Sequence, residues 1–302
     1  HRTRHTGTIE VVVGRNHSFM KYLHLSLLLL LLAFSCEKKE PDEPMTPDLE
    51  EFNMLMGNPS QATKETSNPN NYLITLPQYA LSYNRTRGIP NWVSWYLNST
   101  WLGDVSRQED FRPYTDLPAG WHQVSNFDYI GSGFDRGHSC PSGDRTVIAA
   151  DNSATFYMIN MIPQAPQVNQ GPWEKLETYC RSLARRGFEL YIITGSYGTG
   201  GTGNNGYATT IAGGKVAVPA AAWKAILILP IGQNDLSRVT ENTRLITVAI
   251  PNENTAANLS WGNYRTTVNQ IEITTGYDLF SALPASIQSV LEARTDTGPT
   301  EE

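Results

Sequence analysis

The sequence predicts an α+β domain in which a mostly antiparallel central sheet is flanked by helices. Apolar runs of strand length, such as residues 189–195 and 244–251, are bounded by turns and prolines. Residues 173–183 instead have the three- and four-residue spacing of an amphipathic helix. Hydrophobic residues make up 40% of the 302 residues and charged residues 17%, which suits a folded domain with a substantial core.

The beginning of the chain has the pattern of an export signal. Residues 1–19 lack hydrophobic periodicity and an initiating methionine, so we interpret them as an upstream extension that is not native. Met20 begins a segment with an apolar run over residues 23–34, too short for a comfortable membrane span and typical of a signal-peptide core. Residues 20–35 are therefore predicted to be a signal peptide.

Cys36 follows this run directly, in a sequence that resembles a bacterial lipobox. We expect a lipid on Cys36 to anchor the exported protein to a membrane of the bacterial envelope; the alternative is a periplasmic or secreted protein in which Cys36 is incidental. Residues 36–71 are polar and rich in proline, and are predicted to be an unfolded tether. The folded domain is predicted at residues 72–294, and a frayed tail at 295–302.

Strand and helix patterns continue through the predicted domain. The predicted strands are residues 71–76, 79–83, 92–97, 189–195, 225–230 and 244–251. A last helix is predicted after Leu283-Pro284, with Ile287, Val290 and Leu291 on its buried face. Residues 198–203 fit a dinucleotide-binding glycine pattern, but no helix pattern follows them, so they are predicted to be a flexible surface loop.

The net charge and the histidine count exclude some classes of protein. The formal net charge is −6, which does not suit a protein that coats nucleic acid, because stable non-specific binding needs many phosphate contacts. An enzyme that releases its product needs only a local positive groove. Only His122 and His138 lie beyond residue 24, and no cysteine cluster accompanies them, so the usual zinc sites are excluded.

Three blocks within residues 135–177 carry the side chains that phosphodiester hydrolysis requires. They are residues 135–138 (Asp-Arg-Gly-His), 160–164 (Asn-Met-Ile-Pro-Gln) and 169–177 (Asn-Gln-Gly-Pro-Trp-Glu-Lys-Leu-Glu). This reaction needs a base that deprotonates water, a cation that neutralises the phosphate oxygens and a stabilised leaving oxygen. The three blocks can supply all of these.

In this order and spacing, the blocks resemble the DNA/RNA non-specific endonuclease family, and the likeness extends over residues 83–292. The resemblance implies a ββα-metal active site, also called a His-Me finger, within the α+β domain. It also implies internal cleavage of DNA and RNA without strong sequence preference. DNA and RNA are then the expected partners, and no protein partner can be deduced.

His138 is the predicted general base, and an imidazole with its ordinary pKa near 6.5 would be mostly neutral at pH 7. The motif glycine, Gly137, is expected to let the backbone bend sharply beside it. Asn160 stands in an otherwise apolar run, where a buried amide needs partners. The resemblance places Asn160 near the active site, either as a support of the finger or in contact with the substrate.

Asn169 and Glu177 are the predicted metal-holding residues. The resemblance makes Asn169 the direct protein ligand of Mg²⁺, for which Mn²⁺ can substitute, and makes Glu177 a residue that helps to hold the waters of the ion. Magnesium suits such a site because it keeps much of its water shell and takes few protein ligands. Taken singly, Asn169 could be a helix cap and Glu177 a surface acid.

Arg136 and Arg107 are predicted to bind the phosphate of the substrate and to assist catalysis, since a guanidinium can hold two phosphate oxygens at once. Arg107 lies 31 residues before His138, where the family has its second arginine, and Arg112 competes with it for this assignment. Asp135 is expected to orient Arg136 or the turn. Cys140 and Cys180 could form a disulfide or remain two buried thiols, and the sequence leaves both alternatives open.

Three alternative functions remain from the sequence, one of which is a part in a larger surface assembly with the nuclease domain as an accessory. The protein could be a surface lipoprotein that binds nucleic acid without catalysis, although the intact motif argues against this. It could also be a phosphodiesterase with a narrower range of substrates.

Overall fold

The structure, a computed structural model, describes residues 52–301. The predicted extension, the signal peptide and Cys36 lie outside the described residues. Within residues 52–301, no helix has both the length and the apolar character to cross a membrane.

A six-stranded sheet with the strand order β1-β2-β3-β6-β11-β12 forms the centre of the domain, and every neighbouring pair is antiparallel. Its strands are β1 (Tyr72–Thr75), β2 (Ala80–Asn84), β3 (Ile89–Leu97), β6 (Phe188–Tyr197), β11 (Ala221–Pro230) and β12 (Arg244–Pro251). Three two-stranded hairpins accompany it: β4 (Asp135–His138) with β5 (Met161–Gln164), β7 (Gly201–Gly203) with β8 (Gly206–Ala208), and β9 (Thr210–Ile211) with β10 (Val216–Ala217). The predicted antiparallel α+β fold is confirmed.

Helices cover the sheet and complete two apolar cores. They are α1 (Ala149–Ala154), α2 (Pro166–Val168), α3 (Glu174–Arg185), α4 (Asp235–Arg238), α5 (Val268–Thr275) and α6 (Ala285–Leu291). Alternate residues of β11 enter different cores: Ile226 lies in the first core with α3, and Leu227 in the second with α5 and α6. Because both faces are covered, the central strands are nearly continuous apolar runs.

The amphipathic pattern of α3 matches its burial, and that of α6 does so only in part. Leu176, Cys180 and Leu183 are buried along α3, as their spacing predicts. In α6, Leu291 is buried, whereas Val290 is exposed, so its assignment to the buried face is wrong. The short helix presents too narrow a face to the second core for both residues.

The folded body begins before Tyr72, so the predicted tether is too long. Met56 and Ala62 are buried in the second core. The Asn53 side chain is buried too, and it accepts a hydrogen bond from the Tyr96 backbone N–H at the end of β3. The polar composition of this segment predicted an unfolded tether, but a few apolar residues among many polar ones are enough to hold the segment against the domain.

The C-terminal segment is also docked rather than frayed. Asp296 accepts hydrogen bonds from Arg244 on β12 at 2.9 and 3.0 Å, and from Arg265 at 3.3 Å. The backbone carbonyls of Gly298 and Pro299 accept further hydrogen bonds from these arginines. Likewise, the glycine-rich residues 198–203 enter the ordered β7–β8 hairpin, which joins residue 133 by a backbone hydrogen bond of 2.9 Å from Asn204.

Candidate active site

The β4–β5 hairpin and helix α3 form the predicted ββα finger. His138 pairs with Met161, and Gly137 with Ile162, in the antiparallel register. Gly137 is extended strand rather than a bend, and glycine is required there for another reason. A Cβ atom at this position would lie 2.7 Å from the Cβ of Gln164, which a change of side-chain rotamer cannot move away.

Asn160 fastens the end of the hairpin to the preceding chain. Its side-chain oxygen accepts a hydrogen bond from the Cys140 N–H at 2.9 Å. Its amide nitrogen donates to the carbonyl oxygens of Cys140 and Thr155, at 2.8 and 2.9 Å. The residue is fully buried and its polar atoms are occupied, so Asn160 supports the finger and has no free group for direct catalysis.

A polar cavity of about 380 Å³ lies beside the finger. The lining residues are Arg107, Glu109, Phe111, Asp135, Arg136, Asn169 and Gln170. Three residues predicted from the sequence for phosphate or metal binding, Arg107, Arg136 and Asn169, therefore meet at one cavity. Glu109, Phe111 and Gln170 had no sequence signal beyond their closeness in the chain to motif residues.

The His138 ring is clamped between two aromatic rings next to this cavity. Its centroid lies 5.6 Å from that of Phe111 and 4.9 Å from that of Phe156. Arg136 stacks over Phe111 at 4.1 Å and Arg107 over Phe156 at 4.8 Å. The two rings thus hold the imidazole and both guanidinium groups in one assembly.

The environment of His138 keeps its imidazole neutral. Burial, followed by the charges of Arg107 and Arg136, lowers its pKa from 6.5 to about 3. The sequence-based expectation of an ordinary pKa is therefore wrong, because it included neither the burial of the ring nor the nearby positive charges. The Nε2 atom is buried and has no hydrogen-bond partner among the described residues.

The geometry distinguishes Arg107 from Arg112. Arg107 donates a hydrogen bond to the Ser142 hydroxyl at 2.7 Å, and its side chain remains half exposed at the cavity. Arg112 instead pairs with Asp110 at 2.7 Å and stacks on Tyr157, away from the cavity lining. Arg136 is held by the side-chain oxygen of Asn126, a partner that the sequence did not indicate.

Asp135 and Asn169 provide the oxygen atoms at the other side of the cavity. One carboxylate oxygen of Asp135 accepts hydrogen bonds from the side-chain amides of Asn169 and Gln170, both at 2.8 Å. Asp135 therefore orients the predicted metal ligand rather than Arg136. Among residues 52–301, no cluster of three or more His, Cys, Asp or Glu side chains could enclose a metal ion. An amide and a carboxylate on an open cavity fit a largely hydrated Mg²⁺.

Glu177 has different surroundings from Asn169, and it does not line the cavity. Its carboxylate lies 3.6 Å from the ammonium group of Lys224, and both side chains are largely buried. Burial raises the pKa of Glu177 to about 7, although the positive charges of Lys224 and Arg181 oppose this shift. The sequence offered one signal for Lys224, a lysine within the otherwise apolar strand β11.

The two cysteines of the domain are free thiols. Cys140 and Cys180 are both buried in the first core, and they form no disulfide. Burial raises the pKa of each thiol to about 12, so both stay protonated.

Comparison with known families and relatives shows that the chain is a nuclease, a hydrolase that acts on phosphodiester bonds. The chain belongs to the DNA/RNA non-specific endonuclease family, whose model matches residues 57–286. A nuclease from Nostoc sp. is 43% identical over 271 residues, which cover 89% of this chain and 96% of the relative.

Mitochondrial proteins are also similar to this chain. The mouse mitochondrial nuclease EXOG is 30% identical over 214 residues, covering 69% of this chain and 56% of the relative. Human mitochondrial endonuclease G is 37% identical over 161 residues, covering 51% and 54%. The chain spans about half the length of these two relatives. A crystal structure of an EndoG/EndoGI complex has the same fold, with a TM-score of 0.65 and 23% identity over 79% of this chain and 94% of that chain.

Proposed function

We propose that this chain is a metal-dependent endonuclease in which His138 is the general base and the polar cavity binds the scissile phosphate of DNA or RNA. One observation carries the proposal: two guanidinium groups and an oriented amide line a single cavity, and the imidazole of His138 packs against Phe111, which also lines it. Such groups bind the phosphate backbone and carry no information about base sequence.

His138 would accept a proton from the attacking water. A neutral imidazole is the required form, and its low pKa keeps it neutral throughout the physiological range. A pKa near 3 also makes the free imidazole a weak base. A phosphate bound by Arg107 and Arg136 would offset the two charges that add to the effect of burial, and so would raise the pKa of the imidazole.

Arg107 and Arg136 would hold the phosphate oxygens and stabilise the negative charge that grows in the transition state. Their positions are fixed in advance by stacking on Phe156 and Phe111 and by hydrogen bonds to Ser142 and Asn126. Fixed donors stabilise a transition state without having to reorganise during the reaction.

Asn169 would bind Mg²⁺, or Mn²⁺ in its place, through its side-chain oxygen, because its amide nitrogen is occupied by Asp135. A bound divalent ion supplies positive charge to the phosphate and to the leaving 3′-oxygen. Glu177 is paired with Lys224 outside this cavity, so the proposal includes no role for it at the ion.

The test is digestion of plasmid DNA and of RNA by the wild-type protein and by His138→Ala, with and without EDTA. We expect the wild type to cut both substrates internally and EDTA to abolish cutting. His138→Ala should be slower by roughly 10² to 10⁴-fold. A wild-type protein that binds nucleic acid and leaves it intact in Mg²⁺ would refute the proposal.

We also propose that the protein is exported and held at a membrane by a lipid on Cys36. The support is the apolar run of residues 23–34 immediately before this cysteine. Expression in a bacterial host should place the wild type in the membrane fraction, and Cys36→Ser should release it. A wild type found only in the soluble fraction would refute the anchor.

A further inference from the structure

We propose that Phe127 and Ile130 form a base-stacking rim beside the phosphate site, which binds the unpaired bases of single-stranded substrates. The inference extends the proposed nuclease function and depends on it.

Both rim residues expose apolar side chains that the fold does not use. Phe127 is 81% exposed and Ile130 is 65% exposed, although they are only three residues apart. Single exposed apolar residues are common on protein surfaces, but two of them within four residues of the chain, next to a residue that binds Arg136, indicate a contact surface.

The segment that carries the rim is rigid. Tyr129, between the two rim residues in sequence, is buried in the first core. Asp128 accepts hydrogen bonds from the Ser125 N–H at 2.8 Å and lies 3.1 Å from the His122 ring. A rim fixed in this way loses little conformational entropy when a ligand binds to it.

The rim is connected directly to the phosphate site. The side chain of Asn126 accepts a hydrogen bond from Arg136, and Phe127 is the next residue. Phe127 is therefore the next residue in the chain after the one that positions Arg136, and the proposal places the bases that flank a phosphate on Arg136 against its ring.

Nucleobases are the ligand that this arrangement favours. Every base has a flat aromatic face, so an exposed phenyl ring binds bases without selecting among them. The adjacent guanidinium groups attract the phosphates that link those bases. Bases in a duplex are already stacked on one another, so the rim should discriminate in favour of single strands.

The test is fluorescence anisotropy in EDTA with three labelled oligonucleotides: a single-stranded thymidine run, the same strand without bases, and a duplex. The variants are Phe127→Ala, Phe127→Trp and the double variant Phe127→Ala with Ile130→Ala. Ile273→Ala is the matched control, because Ile273 is 79% exposed and lies on α5, whose buried residues belong to the second core.

We expect Phe127→Ala to weaken binding of the thymidine run by roughly tenfold and the double variant to weaken it further. Phe127→Trp should bind as tightly as the wild type, and Ile273→Ala should change nothing. The strand without bases should not respond to Phe127→Ala. The proposal would be refuted if Phe127→Ala lost equal affinity for the thymidine run and for the strand without bases, or lost affinity for neither.

The kinetic arm separates this proposal from the nuclease function. With Mg²⁺, Phe127→Ala should raise KM for single-stranded DNA more than for duplex DNA, and kcat should be preserved. If the wild type cuts both substrates but the KM ratio is unchanged in Phe127→Ala, the rim is wrong and the nuclease stands. If the wild type cuts neither substrate, the nuclease function itself fails.

Discussion

At the scale of single residues, the site depends on charges that the chain brings together from distant positions. Arg107 and Arg136 are 29 residues apart in sequence, and both lower the pKa of His138. The sequence predicts His138 as the base, but the pKa of its ring depends on its burial and on these two neighbours.

The first prediction concerns protonation of His138. Because its folded pKa is lowered to about 3, an NMR titration of the ring should show it still neutral at pH 5. An imidazole at 6.5 would be mostly charged there. The unfolded chain takes up this proton below about pH 6.5 and the folded chain does not, so stability should decrease from pH 6.5 towards pH 3. A titration midpoint near 6.5 would contradict the environment described for the ring.

The second prediction compares the two candidate arginines. Arg107→Ala should reduce kcat/KM on duplex DNA by on the order of 10²-fold, because it removes a phosphate donor. Arg112→Ala is the matched control and should change kcat/KM little, since its guanidinium is paired with Asp110 outside the cavity. Steady-state rates in Mg²⁺ measure both. A larger loss in Arg112→Ala would reverse the assignment.

At the scale of elements, the finger is held as a unit by buried polar contacts. Asn160 joins the strand that carries His138 to the turn before β5. Helix α3 packs on β6, and its Leu176 and Cys180 are buried in the same core as Met161 and Ile162 of β5. Arg136 and His138, proposed for catalysis, therefore lie on a regular strand, as precise positioning requires, whereas Arg107 lies in an irregular segment.

The third prediction is that Asn160→Ala destabilises the finger. It would leave the N–H and C=O groups of Cys140 buried without partners, at a cost of about 2 to 4 kcal/mol in the free energy of unfolding. Urea unfolding measures this cost. Asn263→Ala is the control, because Asn263 is exposed and makes only local hydrogen bonds to Ser260. Equal stability of the two variants would refute the structural role of Asn160.

At the scale of the whole molecule, the segments at both ends of the described chain pack against the domain. Met56 and Ala62, from the N-terminal segment, are buried in the second core. Asp296 ties the C-terminal segment to β12 through Arg244. The domain therefore extends beyond the limits of residues 72–294 that composition predicts.

The fourth prediction concerns truncation at the N-terminus. A chain of residues 72–302 should lose at least about 3 kcal/mol relative to residues 52–302, because the burial of Met56, Ala62 and Asn53 is lost. For a domain of this size the loss corresponds to roughly 6 to 12 °C in Tm. Calorimetry on both chains tests this, and Met56→Ala in the longer chain should give a smaller decrease. Identical Tm values would show that the segment contributes nothing.

The sequence by itself determined those features of the fold that depend on residues close together in the chain. Strand β12 was predicted with its observed bounds, and the buried stripe of α3 follows from its spacing. The motif that contains His138 and Asn169 identified the family and the two sides of the site. Local backbone preferences and burial patterns fix such features within a few residues of one another.

Only the tertiary structure decided which partners these residues have. It set Glu177 against Lys224, a residue 47 positions later in the chain, and it brought Arg107 rather than Arg112 to the cavity. It also docked the polar segments at both ends of the domain. The physical reason is that ion pairing, desolvation and packing act through short distances in space, and a single sequence does not state which distant residues will become neighbours.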